Sequence, residues 1–233
     1  MKVDIGIIGA LAPEVEGLVE KLEECEKESV SGIDFFIGKL FDKRVAVAKC
    51  GVGKVFAALC AQAMILRYSP KLIVNTGVGG GLALGLKTGD VVIADKLLQH
   101  DMDTTAVGDP KGLISGINKI YFEADESAVK ILSSAAEKMG LSYRVGAVAT
   151  GDKFIASAED RHFISSEFSA VACEMEGGSI AQVAYVNRVN FAVIRGISDS
   201  ADGSATMDFP TFLPIAAKNS TALTLALVKE YAI

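Results

Sequence analysis

The chain reads as an α/β protein, one layered domain on a mixed β-sheet, and three observations predict it. Residues 2–9, 71–76 and 190–197 are predominantly apolar stretches of strand length, as expected for strands buried on both faces. Segments with helical periodicity alternate with such runs along the whole chain. Two strand-like runs at 32–40 and 43–49 meet at Phe41-Asp42, which reads as a hairpin and so as antiparallel pairing within the sheet.

Residues 2–9 form the first strand. Residues 13–26 follow as an amphipathic helix, in which Val15, Leu18, Val19 and Leu22 recur at i, i+3, i+4 and i+7. Pro13 stands near the first helical position, where its missing N–H is no loss. After the hairpin, residues 52–68 are helical and stop before Pro70. The strand 71–76 runs into a glycine loop, Gly77-Val78-Gly79-Gly80-Gly81. Residues 90–99 form a strand, and a polar loop bearing Gly, Asp and Pro extends from His100 to about residue 119. A helix over 125–139 stops at Gly140, and 142–149 is a strand. The short strand 170–173 feeds a helix at about 175–187, then come the strand 190–197 and a closing helix over 209–231. No linker, repeat or low-complexity tract divides the chain, so residues 1–233 are expected to form one domain.

Composition excludes several classes. Half of the 233 residues are apolar, enough for a substantial core. The net charge of −6, with no dense Lys/Arg block, excludes a nucleic-acid partner, which needs a basic footprint. No apolar run reaches the roughly 18 residues of a membrane span, and no charged segment leads into an apolar block at the start. The expectation is a soluble, cytoplasmic protein without a membrane partner. Cys25, Cys50, Cys60 and Cys173 are scattered and only His100 and His162 could join them, so neither a metal site nor a disulfide framework is expected.

Chemistry concentrates where strands run out, the rim at which open α/β sheets bind small ligands. The glycine loop lacks the third glycine of a dinucleotide fingerprint, since position 82 is Leu82. It is either a tight turn or a close approach to a small ligand. Glu174-Met175-Glu176 ends one strand, which places Glu176 in the first turn of the next helix. The positive end of that dipole favours an ionised acceptor able to grip two vicinal hydroxyls, or simply a helix-capping acid. Asp199 emerges from the apolar strand 190–197 after Ser198, a partly desolvated setting that suits a proton donor, although a turn-capping Asp fits as well. Arg195 lies on the same strand face as Ile197, and its guanidinium requires anionic partners among Glu14, Glu174 and Glu176. Phe154 and Ile155 follow the strand 142–149; Phe154 either stacks on a flat base or packs in the core. His100-Asp101 closes another strand and reads as structural.

Taken in order, Gly6-Ile7-Ile8-Gly9-Ala10 with Glu14-Val15, Asn75-Thr76-Gly77 with Gly80-Gly81, Gly151-Asp152 with Phe154-Ile155, Glu174-Met175-Glu176 and Arg195-Gly196-Ile197-Ser198-Asp199 span nearly the whole chain. Together they resemble the bacterial 5′-methylthioadenosine/S-adenosylhomocysteine nucleosidases of the purine nucleoside phosphorylase/uridine phosphorylase superfamily. The resemblance implies a three-layer αβα domain with a central mixed sheet, no cofactor and no metal, and a homodimer that takes an adenine nucleoside. It assigns Glu14 to activation of the attacking water, Asp199 to protonation of adenine N7 with Ser198 beside it, and Glu176 to the ribose hydroxyls with Met175 against the sugar. Phe154 would stack on the purine, the Ile155 backbone would read its edge, Arg195 would support the carboxylates and water, and Phe209 would cover the 5′-substituent. Thr104 and Val107 would reach into the neighbouring subunit's pocket. Val78 stands where many relatives carry Ser, and Val107 where an aromatic is common; both bear on substrate breadth, including aminofutalosine.

The chemistry fits these assignments. Cleaving a ribosyl C1′–N9 bond leaves positive charge on the sugar and pushes electrons into adenine, so an acid at N7 and an anion near the ribose both help. The arrangement parallels an inverting glycosidase, with one acid at the leaving group and one base at the water. Two competing readings are a phosphorolytic relative, disfavoured because Glu14 would repel phosphate, and a non-catalytic nucleoside-binding protein, disfavoured by the presence of all three carboxylates.

Overall fold

The first apolar run folds as β1 (Ile5–Gly9), every residue of it buried. The computed structural model describes residues 2–199 and 205–233, and the side chains of all of these except 205–210 and Phe212. β1 pairs in parallel with β4 (Lys43–Lys49) on one side and β5 (Leu72–Gly81) on the other. Beyond β4, β3 (Ile33–Leu40) and β2 (Glu23–Val30) add antiparallel strands and form one edge. On the other side β5 pairs in parallel with β10 (Asn190–Asp199) and, through Gly80 and Gly81, antiparallel with β9 (Ala170–Glu174). From β9 the ladder passes to β8 (Tyr143–Thr150), to β6 (Val91–Gln99) and back to β10. This side of the mixed sheet therefore curls into a ring of five strands, with β7 (Phe122–Glu123) appended to β6.

Alternation along the strands divides the core into two layers. Ile5 and Ile7 face α1 (Ala12–Val19), α3 (Glu126–Lys138) and α6 (Ala205–Glu230), in one cluster with Leu18, Leu132 and Leu223. Ile8 faces the opposite way, onto Ala57, Cys60 and Met64 of α2 (Lys54–Tyr68) and Ile180 of α5 (Gly177–Asn187). Helices thus cover both faces of the sheet, the expected three layers. Burying one such Ile or Leu contributes about 1.5–3 kcal/mol. At Gly196 a Cβ would lie 2.2 Å from the Ala216 carbonyl oxygen, so α6 crosses β10 backbone to backbone. No helix among the described residues is long and apolar enough to cross a membrane.

Three expectations need correction. The helix expected over 13–26 stops at Val19, and 23–30 becomes β2, an edge strand whose residues are mostly exposed. Its run of Glu and Lys suits an edge that must not pair further. The glycine segment is not a loop: β5 continues through Gly81, because β9 and β10 both pair with it there. A further helix, α4 (Ala158–Phe168), capped by Ser157, occupies a segment with no expected element.

Candidate active site

The carboxyl ends of β1, β5, β8, β9 and β10 open into one cavity of about 350 Å³, within the range of small-ligand pockets. Glu14, Val78, Phe154, Ile155, Met175, Glu176, Ser198 and Asp199 all line it, so residues 185 positions apart in sequence meet at one rim. The glycines of β5 explain how. A Cβ at Gly77 would lie 2.6 Å from Glu14 Oε1, and one at Gly80 would lie 3.1 Å from Asp199 Oδ2. Side chains there would fill the space that the two carboxyl groups use.

Glu14 sits in the first turn of α1 and folds back over its own helix start. Its Oε2 accepts from the Ala10 and Leu11 amides at 2.7 and 2.8 Å, and its Oε1 from the Val78 amide at 3.0 Å. Burial raises its pKa above the ordinary carboxylate value, against the lowering pull of those amides and of Arg195. A carboxyl group held by three donors and poised above its usual range can act as a general base.

Glu174, at the end of β9, anchors the site. It accepts from Arg195, from the Thr150 hydroxyl, and from the Glu176 and Gly177 amides at 3.0 and 2.6 Å. Burial pushes its proton affinity up, but the Arg195 charge and these donors prevail and hold its pKa low. Arg195 also donates to the Asn75 side chain and is completely buried, so it does not line the cavity. Of the three acids considered as its partners, Glu174 is the one in contact.

Glu176 differs from expectation. It is the N-cap of α5 but its side chain makes no capping bond; Oε1 instead accepts from the Gly53 amide at 2.9 Å. Burial, then the neighbouring Glu174 charge, push its pKa up to about 7. A helix dipole contributes only about 0.3–1 kcal/mol, too little to offset burial beside a second carboxylate. The native state therefore keeps a proton that the unfolded chain loses near the ordinary value of 4.5. Stability from this group is complete below that value and declines as pH rises through about 7. The melting temperature of Glu176→Gln should accordingly gain on that of the parent between roughly pH 5 and pH 8, in thermal scans across that window. A difference independent of pH would refute the assignment.

Asp199 is buried at the end of β10. Its Oδ1 accepts from the Ser198 hydroxyl at 2.9 Å, and its Oδ2 pairs with Arg161 Nη2 of α4 at 2.6 Å. The sequence reading supplied the acid and the serine but not the arginine.

A second network lies beside Glu176. Lys54 Nζ bonds Asp101 at 2.7 Å, Asp101 accepts the Asp152 amide at 2.9 Å, and Asp152 accepts the Lys54 amide at 2.8 Å. This fastens the turn before Phe154 to the start of α2, next to the Gly53 amide that holds Glu176. His100 is buried beside Gly151 and stays out of the cavity, in keeping with a structural role. Thr104 and Val107 do not line their own chain's cavity, and Val107 is 81% exposed. The Phe209 side chain lies outside the described residues.

A family model described as the phosphorylase superfamily matches residues 4–229. The chain belongs to that superfamily. Within the superfamily it is 41% identical to a 5′-methylthioadenosine/S-adenosylhomocysteine nucleosidase of Haemophilus influenzae, over 96% of this chain and 97% of the relative. The crystal structure of the Neisseria meningitidis enzyme of that name, in complex with methylthio-immucillin-A, superposes with a TM-score of 0.94 at 35% identity, over 97% of this chain and 98% of that one. The futalosine hydrolase of Helicobacter pylori superposes with a TM-score of 0.93 at 35% identity, over 97% of each chain. This phosphorylase-superfamily chain thus shares its fold, over 97% of its length, with members named as a nucleosidase and a hydrolase.

Proposed function

We propose that this chain hydrolyses the N-glycosidic bond of 5′-methylthioadenosine and S-adenosylhomocysteine, and of 5′-deoxyadenosine, releasing adenine and the 5-substituted ribose. The observation that carries the reading is that Glu14, Glu176 and Asp199 line one cavity of nucleoside size. Phe154 and the Ile155 backbone receive the purine, and Met175 packs on the sugar. Asp199 donates a proton to N7 as the C1′–N9 electron pair passes to adenine. Glu176 binds the ribose hydroxyls, and its ionised form opposes the positive charge that develops on the sugar. Glu14 takes a proton from the water that attacks C1′. The positions on β5 that Glu14 and Asp199 press against are three residues apart, about 10 Å along the strand. That spacing leaves room for a sugar and a water between base and acid, as in an inverting glycosidase.

Water is favoured over phosphate for a specific reason. The Ala10 and Leu11 amides at the start of α1, which an incoming anion would use, already donate to Glu14. Adenine release should therefore proceed at full rate in phosphate-free buffer, followed by the absorbance of free adenine. Loss of release without phosphate, restored by adding it, would falsify the hydrolase reading.

A second substrate reading rests on the same chemistry. The likeness to futalosine hydrolase and the apolar Val78 at the sugar both fit aminofutalosine as an alternative nucleoside. Running the adenine assay with all four nucleosides in competition ranks them. The finer setting is a cytoplasmic homodimer serving methionine salvage, in which Thr104 and Val107 close the partner's pocket and Phe209 covers the 5′-group.

A further inference from the structure

The buried pair Arg161–Asp199 is the part of this site that the reaction as described leaves unexplained. α4 delivers Arg161 from outside the cavity: the residue is 3% exposed, does not line the pocket, and donates through Nη2 to Asp199 Oδ2 at 2.6 Å. Nη1 reaches the Gly81 carbonyl at 3.4 Å, at the end of the strand that cradles the acid. Arg161 occupies the first position of the inward stripe Arg161, Ile164, Phe168, where an apolar residue would otherwise pack. A charge placed there needs a buried counter-charge, since an unpaired guanidinium in the interior is strongly unfavourable.

Among the described residues, the titratable groups facing Asp199 are Arg161 from α4 and Cys173 from β9. Burial first, and then the Asp199 charge, keep the Cys173 thiol neutral. Arg161 is thus the cation that acts on the acid.

We propose that Arg161 is a positioning residue for the proton donor: it fixes Asp199 Oδ2 and stabilises the carboxylate that remains when the proton has gone to N7. This rests on the hydrolase reading above. The proton leaves Asp199 for N7, the C1′–N9 electron pair goes to adenine, the water oxygen bonds C1′, and its proton goes to Glu14. Asp199 ends as an anion, and the Arg161 charge makes that end state more favourable. Arg161 holds Oδ2, and the Ser198 hydroxyl donates to Oδ1 at 2.9 Å, so both oxygens of the acid have a fixed place.

The test is kcat and KM, measured separately by adenine release, for the parent, Arg161→Met, Arg161→Gln and Arg161→Lys. In Met and Gln, kcat should fall about 10- to 100-fold with KM little changed, less than the about 10²–10⁴-fold of a whole general acid. Lys, which keeps the positive charge, should recover most of kcat. If the Met variant does not fold, the Gln variant reads the same loss with hydrogen-bond donors retained. A loss of kcat that Lys does not recover, or a loss that falls on KM instead, would overturn the proposal and leave Arg161 as a packing element. Failure of the parent itself to release adenine without phosphate would instead strike the hydrolase reading.

Discussion

Replacing Asp199 with Asn should lower kcat for adenine release by about 10²–10⁴-fold while a nucleoside still binds. The two side chains have the same shape, so the cavity wall is kept. The amide has no proton to give at N7, so the leaving group must depart unassisted. The replacement has a second consequence that the ion pair dictates. Arg161 loses the anion that faces it at 2.6 Å in a buried site, and removal of one partner from a buried pair costs about 3–5 kcal/mol. The melting temperature should therefore fall together with activity, whereas Asp199→Asn combined with Arg161→Met should recover stability and not turnover. Steady-state kinetics with thermal scans on the single and double variants separate the two effects. Undiminished turnover in Asp199→Asn would remove Asp199 as the acid.

How much of this was legible before the fold depends on what each residue answers to. The three acids were, because each follows an apolar run and strand ends collect at one rim; Glu14, Glu176 and Asp199 indeed share a cavity. β1, the hairpin of β3 and β4, and α3 follow period and capping signals, with Asp125 accepting the Ala128 amide at the expected start. Elements whose pattern is set by something other than core burial were not. β2 is charged on both faces because it is an edge, so alternation carries no signal there. α4 places an arginine at the head of its buried stripe, which breaks the apolar period that would mark it. Arg161 was missed for that reason, since its meaning lies in a partner 38 positions away. Glu176 shows the remaining limit: its helix-start position was readable, but its proton affinity is set by Glu174 and by depth, which only packing reveals.

The second large effect is expected at Glu14. Glu14→Gln should reduce kcat by about 10²–10⁴-fold and leave KM nearly as it was, because the base acts on water and not on the nucleoside. The structure also fixes what happens to stability. The carboxylate accepts from three amides with two oxygens. A glutamine can offer its one oxygen to Ala10 and Leu11, but its NH₂ must then face the Val78 amide, donor against donor. One hydrogen bond is lost, worth about 1 kcal/mol, and removal of a buried charge works in the opposite direction, since burial is what raises the Glu14 pKa. The net shift in melting temperature should therefore be small, unlike that of Asp199→Asn. The diagnostic lies in the acid limb of the rate profile. A base must be ionised to accept a proton, so kcat/KM of the parent declines as pH falls through the raised Glu14 value. The residual activity of Glu14→Gln should lose the Glu14 part of that decline and keep only the part set by Glu176, whose ionised form also serves the reaction; a limb of unchanged steepness in the variant would assign the base to another group.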